Sequence, residues 1–447
     1  MVTLRRTALA LALTTLATAL ALPTNGAGDE GLKPGDVLNK ENAARAAGLL
    51  PPEILKHYED GQFQNPIVAW PSTPFRWDTS FSEATIDNRG KYDVDERGTI
   101  IDKATGSQPP YVYGHPFPDI DPNDPKVAVK ILWNSYYNLW YLGNSRNDVR
   151  LVWVGPDRIE REAGQDVYFM FYDGQGEAYR VPNPKNLLEQ FIATATYPTD
   201  LQGTTALSWR YRDADKRDST WAYVPGLRRV RAVSPNNRSD GTLGSDLSQD
   251  DGAFFDGKPE DFEWKLIGEK EQLRLVDPGS LTGDDKYRWL PQGGWRVNWD
   301  QDKKTVGFQD PSWKGLAWAP IGLALVKRPV WVIEATPRDK YYLYGKIQVY
   351  IDKENYQGAY NRKFDWRDEL INTYMITGYM SDKRVRPDGT EEWMWADTQG
   401  YAAAENVKMN RATVSGLEAP GADPANDRRV HYDSDFFDFS TLQRFGK

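Results

Sequence analysis

The chain has 447 residues, with 55 Lys and Arg against 64 Asp and Glu, a formal charge of -9, and it contains 17 Trp, 24 Tyr, 16 Phe and no Cys. The acidic balance argues against a nucleic-acid partner, because neutralising phosphates needs a basic face. Without Cys there are no disulfides, thiolate metal sites or cysteine nucleophiles, and the aromatic load is what sets the sequence apart.

Residues 1–21 read as a secretory signal peptide. Arg5 and Arg6 precede an apolar run of 16 residues from Thr7 to Leu22, and Ala19-Leu20-Ala21 is a small-residue cleavage site. The run is too short and too rich in Thr and Ala for a membrane span, which needs about 20 strongly apolar residues. No Cys follows it, so no lipid-modified N-terminus is expected. Cleavage leaves 53 basic against 64 acidic residues, a charge of -11. The expected location is the periplasm of a Gram-negative bacterium.

Residues 22–122 read as an irregular N-terminal extension. Short helices are expected at Lys40 to Ala47 and Glu53 to Glu59, and a hairpin runs from Lys91 through the Asp95-Glu-Arg-Gly98 turn to Ile101. Residues 123–447 read as the main domain with a C-terminal tail. Asp124-Pro125 opens a helix in which Leu132, Tyr136, Leu139 and Trp140 recur at helical spacing. A second helix start is read at Asn183-Pro184, running through Leu187, Leu188 and Phe191. The other segments from Val149 to Ile351 follow period two. The fold class is therefore mainly β with helices: a large curved antiparallel sheet, or an incomplete barrel closed by helices.

Alternation places Trp209 with Tyr211, Trp221 with Tyr223, Trp264 with Leu266, Trp331 with Ile333, and Ile347 with Val349 on apolar strand faces. These ten residues are the candidate walls of an apolar cavity; a solid core under a covering helix is the other reading of the same pattern. A slip of one residue exchanges the faces, so the pattern leaves the inward side open. Arg228, Arg229, Arg231 and Arg238 form a basic cluster that could meet an anionic head group or an acidic partner. Alternatively it pairs with the nearby acidic loop of Asp246, Asp250 and Asp251, a segment that could also hold a calcium ion.

No catalytic constellation emerges. His57, His115 and His431 have no partners at ligand spacing. The Asp93 and Asp119 segments begin like EF-hand loops, but carry Ala104 and Lys130 where the closing Glu is needed. No metal or cofactor is expected.

The stretch WRYRDADKRDSTWAYVPGLRRVR (Trp209 to Arg231), followed by Arg238-Ser239-Asp240 and Gly244-Ser245-Asp246, carries a recognisable pattern. So do RPVWVIEATPRDKYYLYGKIQVYIDKENY (Arg328 to Tyr356) and GHPFPDIDPNDPKVAVKILWN (Gly114 to Asn134). The set resembles a bacterial family of exported proteins that carries a domain-of-unknown-function label, family 1329, and is described as outer-membrane-lipoprotein-sorting-like. The resemblance implies a fold similar to the LolA/LolB carriers, a curved half-barrel closed by helices around an acyl-binding cavity. It implies a soluble carrier or chaperone for a lipid or other hydrophobic molecule. Transfer would need a donor and an acceptor, an inner-membrane exporter and an outer-membrane protein. A carbohydrate-binding or carbohydrate-active protein and a ligand-free adaptor of an envelope export complex are the alternative expectations.

Overall fold

The computed structural model describes residues 31–281, 286–298, 302–395, 400–417, 419–421 and 423–446; the expected signal peptide lies outside them. In chain order the elements begin with β1 (Val37–Leu38), α1 (Pro52–Glu59), β2 (Asn65–Val68), α2 (Thr79–Asp87), β3 (Tyr92–Val94), β4 (Ile100–Asp102) and α3 (Val127–Trp140). There follow β5 (Ser145–Val154), β6 (Ile159–Phe171), β7 (Leu187–Tyr197), β8 (Thr205–Tyr211), β9 (Ser219–Val224), β10 (Arg229–Val233), β11 (Phe262–Val276), β12 (Tyr287–Trp289) and β13 (Trp295–Val297). The rest are β14 (Ala324–Pro337), β15 (Lys346–Asp352), β16 (Gly358–Phe364), β17 (Leu370–Ile376), β18 (Asp382–Val385), β19 (Glu391–Met394), β20 (Ala402–Asn406), β21 (Arg411–Leu417), β22 (Asn426–Arg428) and α4 (Phe439–Phe445).

The main sheet runs antiparallel in the order β10-β9-β8-β7-β6-β5-β21-β20-β17-β16-β15-β14-β11. A short parallel pairing of β2 with β14 makes it mixed. Among the described strands β10 pairs with β9 alone and β11 with β14 alone, so the sheet does not close into a barrel.

Helix α3 starts beyond Asp124, whose carboxylate accepts the Lys126 amide at 2.8 Å. Val127, Ile131, Leu132, Trp133, Tyr136, Tyr137 and Trp140 are all buried, so the helix is enclosed on every side. One side meets the inner face of the sheet, through residues such as Leu151, Phe171 and Ile333; the other meets Val94, Ile100 and Phe117 of the N-terminal segment. Trp133 fastens that covering layer by donating Nε1–H to the Gly98 carbonyl at 2.7 Å.

The outer face is covered in two places. Leu38, Leu50, Ile54, Phe63 and Ile67 join Leu316, Trp318 and Leu323 over Leu273, Val332, Tyr360 and Val414. Further along, Phe437 and Leu442 of the C-terminal segment cover Met170, Ile192 and Leu207. Leu32–Lys447 forms one compact unit. Helix α1 is tied to the sheet by a bidentate pair, Glu53 with Arg362 at 2.7 and 2.9 Å, and by His57 to Glu405 at 2.8 Å.

The helix expected from Asn183-Pro184 is strand β7 instead. Asn183 does cap, but its side chain accepts the Leu187 amide and donates to the Leu187 carbonyl, both at 2.8 Å, and closes a loop. Residues 188–195 then take their hydrogen bonds from β6 and β8. Tertiary pairing prevails over a local helix signal.

A candidate ligand cavity and its charged wall

Between the end of α3 and the strands β5, β6 and β7 lies a cavity of about 270 Å³. Its floor is built by alternate residues: Val149 and Leu151 on β5, Val167, Phe169 and Phe171 on β6, Phe191 and Ala193 on β7. The antiparallel register sets Phe169 opposite Phe191 and Val167 opposite Ala193. Phe169 stacks on Phe171 at 6.0 Å and on Phe191 at 5.4 Å between ring centroids. Leu139 and Leu142 border it from the helix side, Leu247 to Asp256 form one wall, and Ala425 and Asn426 form another.

Asp256 on that wall belongs to a closed charged network lying behind the cavity. Arg210 donates to Asp218 at 3.0 Å and to Asp256 at 2.8 Å. Arg238 donates to Asp250 at 2.6 Å and to Asp256 at 3.1 Å, and lies 3.3 Å from Asp218. Tyr342 donates its hydroxyl to Asp250 at 2.7 Å. Arg210 is only 3% exposed, so each charge depends on its partners. Burial works to raise the Asp218 carboxyl, but Arg210 and Arg238 outweigh it and hold the group below the usual carboxylate range.

Glu189 stands at the edge of this network and lines the cavity. It lies opposite Phe171 on β6 and Arg210 on β8. Burial, followed by the neighbouring charge of Asp256, pushes its carboxyl up to about 8.

None of the ten aromatic and aliphatic candidates lines this cavity. Trp209, Tyr211, Trp221 and Tyr223 belong to the outer face, in one cluster with Phe437, Leu442 and Phe445. Trp209 donates to the Phe437 carbonyl at 3.0 Å, and Trp221 meets Phe439 edge-on at 5.0 Å. Parity decides this: when Arg210 and Arg212 point inward to Asp218 and Asp173, the residues between them point outward.

Trp264, Leu266, Trp331, Ile333, Ile347 and Val349 do face α3, as part of a filled core. Leu266 pairs with Ile333, Ile333 with Val349 and Ala335 with Ile347 across neighbouring strands. Phe255, Phe262 and Tyr342 from loops and strand ends occupy the space beside them, Phe255 meeting Trp264 edge-on at 5.4 Å.

The basic cluster divides as well. Arg228, Arg229 and Arg231 are exposed at the β10 edge, and of the expected pairings with the acidic loop only Arg238–Asp250 forms. Asp246 is held by Arg411 at 3.1 Å and by Asn406 at 3.0 Å, and Asp251 pairs with the buried Lys363. With its carboxylates engaged this way, the acidic loop is a structural latch. Among the described residues no group of acids and histidines is arranged to hold a metal ion; Asp93 and Asp124 both take Lys130, at 2.7 and 2.5 Å.

The floor phenylalanines were readable only in part. Val167, Phe169 and Phe171 alternate within a recognisable strand, but Phe191 was hidden by the helix reading of its segment. Glu189 carried no local signal.

A family model described as a protein of unknown function, DUF1329, matches residues 37–443. The chain belongs to this family. It is 26% identical over 261 residues to an uncharacterized protein of Pseudomonas aeruginosa, a match covering 55% of this chain and 50% of that one; the chain thus spans about half the length of this curated relative. Solved structures similar to it include a Vibrio parahaemolyticus domain named for outer membrane lipoprotein sorting (15% identity, 70% of this chain and 97% of that one, TM-score 0.44). A Desulfovibrio piger DUF1329 protein gives 16% identity over 69% of this chain and 97% of that one, with a TM-score of 0.42. A LolA superfamily protein from Nitrosomonas europaea gives 12% identity, 70% and 98% coverage, and a TM-score of 0.38. Among the described residues, no helix is long and apolar enough to cross a membrane.

Proposed function

We propose that the protein is a periplasmic carrier that holds a lipid chain or another hydrophobic small molecule in the cavity under α3. The observation that carries this reading is the partly uncovered floor at Phe169 and Phe191, on a sheet face that is otherwise filled by interlocking side chains. Protein interiors close such space unless something else occupies it. About 270 Å³ falls just below the usual range of small-molecule sites, about 300–1,000 Å³, and suits one apolar chain or ring system. Each methylene buried there contributes about 0.8 kcal/mol, so binding needs no covalent chemistry. In this reading the carrier moves cargo between an inner-membrane exporter and an outer-membrane acceptor.

The cavity's acids support binding over turnover. Asp251 and Asp256 are held by Lys363, Arg210 and Arg238, and Asp148 takes the Ala425 amide at 2.7 Å. That leaves Glu189 without a second free carboxylate for a two-carboxylate hydrolysis.

The test is extraction of the purified protein with organic solvent and mass spectrometry of the extract, beside titration with a fluorescent apolar probe. Co-purified apolar molecules and saturable probe binding are expected. Ala206→Phe, at the cavity wall, should abolish probe binding in a protein whose circular dichroism is unchanged. Probe binding that survives this substitution places the ligand elsewhere and overturns the reading.

A further inference from the structure

Glu189 is 6% exposed, and no hydrogen bond or ion pair joins its carboxyl to another described residue. Buried acids without partners are rare, because the lost hydration has nothing to replace it. The obvious partner, Arg210 directly across on β8, is committed to Asp218 and Asp256. Within the network three aspartates, Asp218, Asp250 and Asp256, already share two guanidiniums, Arg210 and Arg238. The fourth acid therefore retains its proton, in keeping with a carboxyl pushed up to about 8. What remains is a hydrogen-bond donor at the border of a phenylalanine floor.

We propose that Glu189 is the polar anchor of the cavity, donating a hydrogen bond to an uncharged oxygen (hydroxyl, ester or amide) of a largely apolar ligand. The inference rests on the carrier reading and adds the chemistry of the ligand's polar group. An anionic head is disfavoured because the guanidiniums of Arg210 and Arg238 are already committed to Asp218, Asp250 and Asp256. An ammonium head is disfavoured because it would surrender its hydration to a wall whose other acids are already paired.

The experiment is competition of decanol, decylamine and decanoate against N-phenyl-1-naphthylamine on the whole protein. Decanol should compete best. Glu189→Leu should weaken decanol about three- to tenfold, the scale of one hydrogen bond, and leave the apolar probe bound. Glu189→Gln keeps an N–H donor and should restore decanol binding, which covers a failure of the leucine variant to fold. Raising the pH through about 8 removes the proton, so the acceptor-only ester methyl decanoate should leave the wild type but stay on Glu189→Gln, whereas decanol can turn its own hydroxyl to donate to the carboxylate. The charged and titratable groups acting on Glu189 include Arg210, Asp218, Arg238, Asp256 and Tyr136, and Asp148, Asp251 and Arg428 line the same cavity; the glutamine variant leaves all of them in place. Equal decanol affinity in wild type and Glu189→Leu, or tighter binding of decylamine or decanoate, overturns the anchor while the carrier reading stands. A wild type that binds no probe overturns both.

Discussion

On β8 and β9 the aromatic residues Trp209, Tyr211, Trp221 and Tyr223 face outward, beneath the C-terminal segment, while Arg210 and Arg212 turn inward to buried carboxylates. On β11, β14 and β15 the arrangement is reversed: Trp264, Leu266, Trp331, Ile333 and Val349 face α3, and Glu263 and Lys265 face solvent. Both regions alternate aromatic with charged residues, and both are locally satisfactory strands. They differ in what arrives to cover them. Helix α4 and the 434–437 turn supply an apolar cover on the outside of β8 and β9, so their arginines must be neutralised within the protein. The lesson is that an alternating strand specifies two faces without assigning either to the core, and that charges on the wrong side need a complete set of counter-charges.

The contrast can be broken by substitution. Arg210→Met leaves Asp218 and Asp256 short of a partner and should cost about 3–5 kcal/mol in urea unfolding. Should it prove no more damaging than an exposed change, the inward charges of β8 are not buried in solution. Leu442→Ala, at a fully buried position of α4 (0% exposed), should cost about 2–5 kcal/mol. Ile333→Val, in the filled core of the other region, should cost about 0.5–1.5 kcal/mol by the same measurement. Lys265→Met, on the solvent side of β11, should stay within about 0.5 kcal/mol of wild type.

Glu189 gives the comparison a pH axis. Its folded pKa is raised from 4.5 to about 8, so between these values the native state holds a proton that the unfolded chain releases. Stability from this group is complete below 4.5 and is lost as pH rises towards 8. Melting scans should show Glu189→Gln gaining on wild type over that window; parallel curves would mean that the carboxyl is hydrated.

Period-two runs with β-branched and aromatic residues announced most strands, and Asp124-Pro125 with the Leu132, Tyr136 and Trp140 spacing announced α3. Legibility failed where a short signal competed with pairing, as at Asn183-Pro184, where an N-terminal cap motif closes a loop before β7. It failed again at the cavity, because Phe169, Phe171 and Phe191 come together only through the β6–β7 register. Glu189 and Asp256 are likewise far apart in the chain, so no spacing rule links them.

The sequence by itself determined that the chain is an aromatic-rich, mainly β protein with a helix opening at Asp124-Pro125, without cysteine chemistry, and with strands that each have one apolar face. Composition and periodicity suffice for that, since they act residue by residue. Only the tertiary structure decided which face turns inward, which arginines meet which aspartates, and where the core is left open. Those outcomes depend on register and on which distant segment covers each strand, and a single shift by one residue would exchange every face.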